Sequence, residues 1–249
     1  MILKIFILKI VKGDKIMEFA IFASLSVVFL TLFLIVRVKK GAGPLALIFK
    51  TLASLAFVFG AIYASFKIGL TLPNMIITFG LIFALIGDIV LDLKVAYPEH
   101  NKIYLNSGMI SFSLSTVLYL VAVVLLWNPL SKFVFMSVGS LVIGVLFATI
   151  VFLLAKPLKL DFTGHKILTF VYSTLLTTTA VLSLAVGIYI PGFFIFASGI
   201  VLVLLSDLVL SMMYFGGKQS NNVLCIVNHV LYYLGEILVM AFLFFQLGA

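Results

Sequence analysis

Two aspartates inside long apolar segments are the residues of this sequence best suited to do chemistry. Asp88 lies in FGLIFALIGDIVLDL (79–93), and Asp207 lies in SGIVLVLLSDLVLSM (198–212), which repeats the pattern 119 positions later. A carboxylate deep in a membrane is costly unless another group uses or pairs it. Crowded carboxylates in a low dielectric cannot all ionise, and such pairs serve general acid and base catalysis. We therefore expect Asp88 and Asp207 to be catalytic and to share one cavity.

Other polar residues in apolar segments are candidates for substrate binding. Asp92 lies one helical turn beyond Asp88, and it is either a surface carboxylate near Lys94 or part of the binding site. The segment NHVLYYLGE (228–236) places polar side chains three to four residues apart, which brings them to one helix face. An earlier segment carries a fainter counterpart of this stripe. The candidates are Asp92, Thr116, Tyr119, His229, Tyr232, Tyr233 and Glu236.

The basic residues are expected to lie near the ends of the apolar segments rather than beside these acids. Lys50 is grouped with them as a helix-end lysine, so no lysine or arginine is predicted deep enough to neutralise the acids. The net charge of +8 would also suit a nucleic-acid partner. Because the basic residues alternate with apolar runs, the positive-inside rule explains them better, and no nucleic-acid binding is predicted.

Composition identifies the class of protein that positions these residues. Hydrophobic residues make up 64% of the 249 positions and charged residues only 10%, whereas soluble domains have about 25% charged residues. This composition is typical of an integral membrane protein. The single cysteine, Cys225, permits no internal disulfide, and no spacing of ligands predicts a metal site.

Eight apolar segments are each long enough to cross a bilayer. Backbone hydrogen bonding in lipid requires them to be helices, so we predict an all-α polytopic membrane bundle, a single domain over residues 17–249. Residues 1–16 form either an amphipathic extension or a mis-assigned start. Segments three and seven are four spans apart, which predicts two parallel four-helix repeats, with possible halves 17–127 and 130–249. The predicted spans are 17–36, 44–66, 72–93, 106–127, 130–154, 166–189, 192–213 and 222–246.

The distribution of lysine and arginine predicts the orientation. Loops after the odd-numbered segments, with adjoining helix ends, hold ten basic residues. The opposite side holds only Lys67 and Lys132 when the four lysines of residues 1–16 are set aside. The positive-inside rule then places these loops in the cytoplasm and both termini outside the cell membrane. Asp88 and Asp207 lie at similar depth near the ends of their segments, so the site should open toward the cytoplasmic leaflet.

At these residues the sequence resembles the YhhN-like lysoplasmalogenase family of eight-span membrane proteins. The features that carry the resemblance are GLIFALIGDIVL, GIVLVLLSDLVL, the spacing of Gly108, Phe112 and Tyr119, and the paired tyrosines of the last segment. Thr116 and Glu236 depart from the pattern, since they stand where the family is expected to have a histidine and a glutamine.

The resemblance implies hydrolysis of the vinyl ether of a lysoplasmalogen to a fatty aldehyde and glycerophospho-ethanolamine or -choline. It implies no metal and no organic cofactor, and its partners are a lysophospholipid substrate and the lipid bilayer. The headgroup would lie near Lys94, Lys102 and Lys218.

Two other functions remain open from the sequence. A proton-coupled transporter or a lipid-binding membrane protein would also place carboxylates in the membrane. An intramembrane aspartyl protease would need two aspartates as well, but Asp88 has no tyrosine before it and Asp207 has no GxGD motif. The oligomeric state is not predicted.

Overall fold

Eight long helices account for nearly all of the part of the chain that the structure describes. The structure, a computed structural model, describes residues 2–41, 43–96, 98–127 and 133–245, and these contain no strand. Short 3₁₀ helices at Pro98–His100 and Pro191–Phe193 precede two of the long helices. The long helices are α1 (Ile2–Lys40), α2 (Pro44–Ile68), α3 (Leu72–Ala96), α4 (Asn101–Trp127), α5 (Phe133–Ala155), α6 (Lys166–Tyr189), α7 (Phe194–Tyr214) and α8 (Asn222–Phe245).

Each of these eight described helices is long and apolar enough to cross a membrane. The prediction of an all-α, multi-pass membrane bundle is confirmed. Helix boundaries follow local signals: Pro44 occupies the first turn of α2, and Gly69, with φ +113°, lies just beyond its last residue. The boundary that differs most within the spans is the start of α4, at Asn101 rather than 106.

The first helix runs without a break from Ile2 to Lys40, and its apolar spanning part begins at Gly13. This continuity does not distinguish between the two interpretations of residues 1–16, which remain a prediction.

The helices pack as hairpins, and most of their contacts, though not that of α1 with α8, repeat with an offset of four helices. Consecutive helices pair as α1 with α2, α3 with α4, α5 with α6 and α7 with α8. Helix α2 also packs on α8, and α6 packs on α4 in the same way. This pattern is what two parallel four-helix repeats would give. The division into residues 17–127 and 130–249 remains a prediction.

The closest packing between α7 and α8 depends on two glycines. A Cβ built on Gly199 would lie 2.7 Å from the carbonyl oxygen of Gly235, and a Cβ on Gly235 would lie equally close to the carbonyl of Gly199. Small residues allow membrane helices to approach so closely. This contact fixes α8 against the helix that carries Asp207.

Substituting Gly199→Ala should therefore destabilise the bundle by about 1–3 kcal/mol, because the added methyl group meets backbone rather than a movable side chain. Thermal unfolding in detergent measures the effect. Gly139→Ala is the matched control, since a Cβ at Gly139 meets no atom within 4 Å. Equal melting temperatures for the two variants would contradict the prediction.

Candidate functional site

A buried lysine holds two of the candidate acids. Lys50 Nζ lies 3.5 Å from Asp88 Oδ1 and 3.4 Å from Asp92 Oδ1, and Lys50 is only 4% exposed. The prediction that no lysine lies deep enough to neutralise the acids is therefore wrong. Lys50 lies within the first two turns of α2, and its side chain points into the bundle instead of toward the membrane surface. A lysine inside an otherwise apolar span was the sequence signal that could have revealed this pair.

The carboxylate of Asp88 is held from three sides. Besides Lys50, its Oδ2 accepts hydrogen bonds from Ser54 at 2.6 Å and from Tyr232 at 3.0 Å. Tyr233 supports this arrangement from behind, because its hydroxyl contacts Ser54 at 2.8 Å and donates to the carbonyl of Lys50 at 3.0 Å. One cation and two hydroxyl donors match the needs of an ionised carboxylate.

Asp92 is buried, with 8% of its surface exposed, and pairs with Lys50. The alternative of a surface carboxylate near Lys94 is therefore wrong, because the side chain faces α2 inside the bundle. The side chain of Lys94 lies outside the described residues. A role of Asp92 in substrate binding remains a prediction.

Asp207 has a different environment from Asp88. Its side chain is partly exposed, and its Oδ2 accepts a hydrogen bond from the hydroxyl of Tyr172 on α6. None of the ion pairs among the described residues includes Asp207. Tyr172 is not among the predicted site residues, and the repeat could not have revealed it, because the residue 119 positions earlier is Ala53.

Asp88 and Asp207 line the same cavity, which we call the polar cavity. His229 lines it too. Its Nδ1 lies 2.8 Å from the carbonyl oxygen of Cys225, which can only accept, so Nδ1 carries the hydrogen and Nε2 is an acceptor. The structure thus brings together both predicted catalytic residues. The lining comprises Lys50, Asp88, Leu91, Phe112, Ser206, Asp207, Leu210, Tyr214, Asn228, His229 and Tyr232.

A second cavity, the apolar cavity, meets the polar cavity at Asp207. Its walls come from α3 to α7, and Asp207 is the only acidic residue among them. Asp207 therefore lies at the junction of an apolar space and a polar one. The main lining side chains are Leu91, Leu105, Met109, Phe112, Phe147, Val151, Tyr172, Leu176, Leu204, Leu208, Leu210, Tyr214 and Phe215.

Three other predicted binding residues lie apart from these two cavities. The hydroxyl of Tyr119 donates to Glu236 Oε2 at 2.8 Å, and both side chains are buried. Thr116 donates to the carbonyl of Phe112 in its own helix at 2.9 Å. Tyr119 on α4 and Glu236 on α8 form a separate polar pair, and Glu236 lies one helical turn beyond Tyr232. A role of Thr116, Tyr119 and Glu236 in binding remains a prediction.

A third cavity, the vestibule, lies at the helix ends. It shares Leu105, Tyr214 and Phe215 with the apolar cavity. The exposed Lys102 lines it, whereas Lys218 is exposed in the loop after α7 and is not part of its lining. The complete lining is Asn101, Lys102, Leu105, Asp161, Thr163, His165, Tyr214, Phe215 and Gln219.

Within the described ranges, no three histidine, cysteine or acidic side chains lie close enough to hold a metal ion. The acids of the site are instead engaged by a lysine and by hydroxyl groups.

Comparison with known proteins gives one match. The model of the YhhN family matches residues 45–243, which include α3 to α7 entirely and nearly all of α2 and α8. Asp88, Asp207, Lys50 and Tyr172 all lie within the matched range. No curated protein and no solved structure gives a significant match. Because the match covers well over half of its length, the chain belongs to the YhhN family.

Proposed function

We propose that this protein is a membrane hydrolase that cleaves the vinyl ether bond of a lysoplasmalogen. The products are a fatty aldehyde and glycerophosphoethanolamine or glycerophosphocholine. One observation carries the proposal: Asp88 and Asp207 line a common cavity, and Asp207 also faces an apolar cavity. The resemblance to lysoplasmalogenases suggests the bond, and the paired carboxylates supply chemistry that suits it.

The lining of the apolar cavity suits the hydrocarbon part of a lysolipid. Its walls are mostly leucine, methionine, valine and phenylalanine side chains, and among the described residues one acid, Asp207, lies in its wall. A chain lying in this space would bring its first carbons, where the vinyl ether is located, against that acid. The proposed substrate therefore combines an alkenyl chain with a polar end.

The unequal surroundings of the two aspartates support different roles. Asp88 is paired with Lys50 and accepts two hydroxyl hydrogen bonds, which favours the carboxylate. Asp207 has no cation partner in any ion pair of the described residues and borders apolar side chains, which favours a carboxyl group that carries a proton. We assign Asp207 as the general acid and Asp88 as the general base.

In this mechanism, Asp207 donates its proton to the β-carbon of the vinyl ether. The double bond shifts and leaves an oxocarbenium ion, which the carboxylate of Asp88 stabilises. Water then attacks the carbon attached to oxygen while Asp88 takes its proton, giving a hemiacetal. The hemiacetal collapses as Asp88 returns a proton to the leaving oxygen and Asp207 takes the hydroxyl proton. Both acids regain their starting states, much as paired carboxylates do in glycosidases.

Three neighbouring side chains would assist this reaction. Tyr232 bonds to Asp88 and lines the polar cavity, so its hydroxyl orients the base. His229 presents Nε2 as an acceptor and lines the same cavity, where it can hold the attacking water. Tyr172 on the other side fixes the carboxyl of Asp207.

The experiment that tests the proposal compares lysolipids that differ only in the bond at the first glycerol carbon. Purified protein in detergent is incubated with the vinyl ether, the saturated ether and the ester of one headgroup and chain length, and aldehyde and glycerophosphodiester are measured by mass spectrometry. We expect equal amounts of aldehyde and glycerophosphodiester from the vinyl ether alone. Absence of aldehyde with folded protein would refute the proposal.

Proton-coupled transport is the second candidate, and a specific observation favours it. Glu236 is a buried acid bonded to Tyr119, and the proposed hydrolysis makes no use of it. A chain of buried acids across a bundle suits proton movement. Transport predicts proton flux into proteoliposomes on addition of lysolipid, without aldehyde release. Aldehyde release without flux would exclude it.

A further inference from the structure

We propose that the vestibule binds the zwitterionic headgroup of the lysolipid, with its phosphate at Lys102 and its ammonium group at Asp161. The inference rests on the proposed function for the identity of the lipid. It adds Asp161, which is not among the predicted site residues, as the group that would bind the ammonium end of that headgroup.

The first support is the arrangement of charge. A Cβ built on Gly164 would lie 3.7 Å from Lys102 Nζ, so the ammonium group of this lysine lies over the loop between α5 and α6. Asp161 belongs to the same loop and lines the same cavity. A positive and a negative side chain thus border one space. This pairing complements a zwitterion, whereas the carboxylate would repel a headgroup that is only anionic.

The second support is that Asp161 is held in place and charged. Its Oδ1 accepts the backbone N–H of Thr163 at 2.9 Å. Hydrogen bonds from the side chain and then the backbone of Thr163 hold the pKa of Asp161 below its ordinary value. Its own N–H donates to the carbonyl of Phe215 at 2.8 Å, which ties the loop to the end of α7. The adjacent Phe162 is buried and its ring lies 4.7 Å from that of Phe215. The carboxylate therefore has a defined position at the vestibule.

The third support is length. Asp207 and Tyr214 are both on α7, and at 1.5 Å per residue the vestibule begins about 10 Å along the helix from the acid. About nine bonds separate the vinyl ether oxygen from the ammonium nitrogen of the ethanolamine headgroup, and extended they span about 11 Å, since three backbone bonds span about 3.6 Å. A lysolipid with its vinyl ether at Asp207 and its headgroup extended would therefore bring its ammonium group to the edge of the vestibule.

The test uses a lipid that cannot react, so that binding is separated from hydrolysis. The probe is radiolabelled 1-O-hexadecyl-glycero-3-phosphoethanolamine, a saturated ether, with the full chain in detergent and a scintillation proximity readout. Competitors are unlabelled 1-O-hexadecyl-glycero-3-phosphate, which lacks the ammonium group, and 1-O-hexadecylglycerol, which lacks the headgroup. Variants are Asp161→Asn, whose Oδ1 still accepts the Thr163 N–H, and Lys102→Gln. Lys39→Gln is the control, because Lys39 is exposed at the end of α1.

Each vestibule variant should bind the probe about two- to fivefold more weakly, the range expected for loss of one exposed charge contact. Asp161→Asn should leave the affinity for the phosphate competitor unchanged or increased, while Lys102→Gln should weaken it. The control should bind as the wild type does.

The outcomes separate this inference from the proposed function. Probe binding that depends on Lys102 and Asp161, without aldehyde release from the vinyl ether, would leave the headgroup site standing and refute the hydrolase. Normal probe binding by both variants, with aldehyde release by the wild type, would overturn the headgroup site and leave the hydrolase. Equal loss of affinity for the probe and for hexadecylglycerol would also overturn it, because the variants would then act on the hydrocarbon chain.

Discussion

Replacing Asp207 by asparagine should abolish aldehyde release from a lysoplasmalogen. The amide cannot donate the proton that the β-carbon requires, and loss of a general acid typically lowers the rate by about 100- to 10,000-fold. Its shape is nearly unchanged, so the amide oxygen can still accept the hydroxyl of Tyr172. Single-turnover measurement of aldehyde with saturating lipid isolates the chemical step.

Asp88→Asn should abolish turnover as well, because the amide cannot take a proton from water. Asp14→Asn is the matched control, since Asp14 is exposed on α1. Gel filtration and melting temperature in detergent establish that each variant is folded. Near-normal aldehyde release by either Asp88→Asn or Asp207→Asn would show that the two-carboxylate mechanism is wrong.

Replacing Lys50 by methionine should have the largest effect on stability. The substitution leaves Asp88 and Asp92 buried without their shared cation. Breaking a buried ion pair by removing one partner typically costs about 3–5 kcal/mol. A marked fall in melting temperature in detergent is therefore expected, and Lys39→Met, at an exposed position, should melt like the wild type.

Removing the acids together with the lysine tests the cause of that loss. The triple variant Lys50→Met, Asp88→Asn, Asp92→Asn no longer buries uncompensated charge, so it should recover much of the lost stability. It should remain inactive, because it lacks the base. A triple variant no more stable than Lys50→Met would show that the lysine acts through packing of its stem and not through its charge.

The spans could be predicted closely from the sequence because lipid leaves the backbone few choices. A long apolar segment must form a helix, and prolines, glycines and charges mark its ends. Lys50 shows where this reasoning fails. A lysine near a helix end can extend either to the membrane surface or into the bundle, and its flexible stem permits both. Only the position of α3 against α2, with two carboxylates facing the lysine, decides the direction.

Sequence alone determined that this is an eight-span membrane protein with two aspartates at equivalent positions, since hydrophobicity and an internal repeat are properties of the chain itself. The tertiary structure decided what distinguishes those aspartates. GDIVL and SDLVL are nearly the same locally, but Asp88 meets Lys50 and Asp207 meets Tyr172 and an apolar cavity. Those neighbours come from other helices, and protonation depends on the charges and hydrogen bonds that surround a carboxyl group in space.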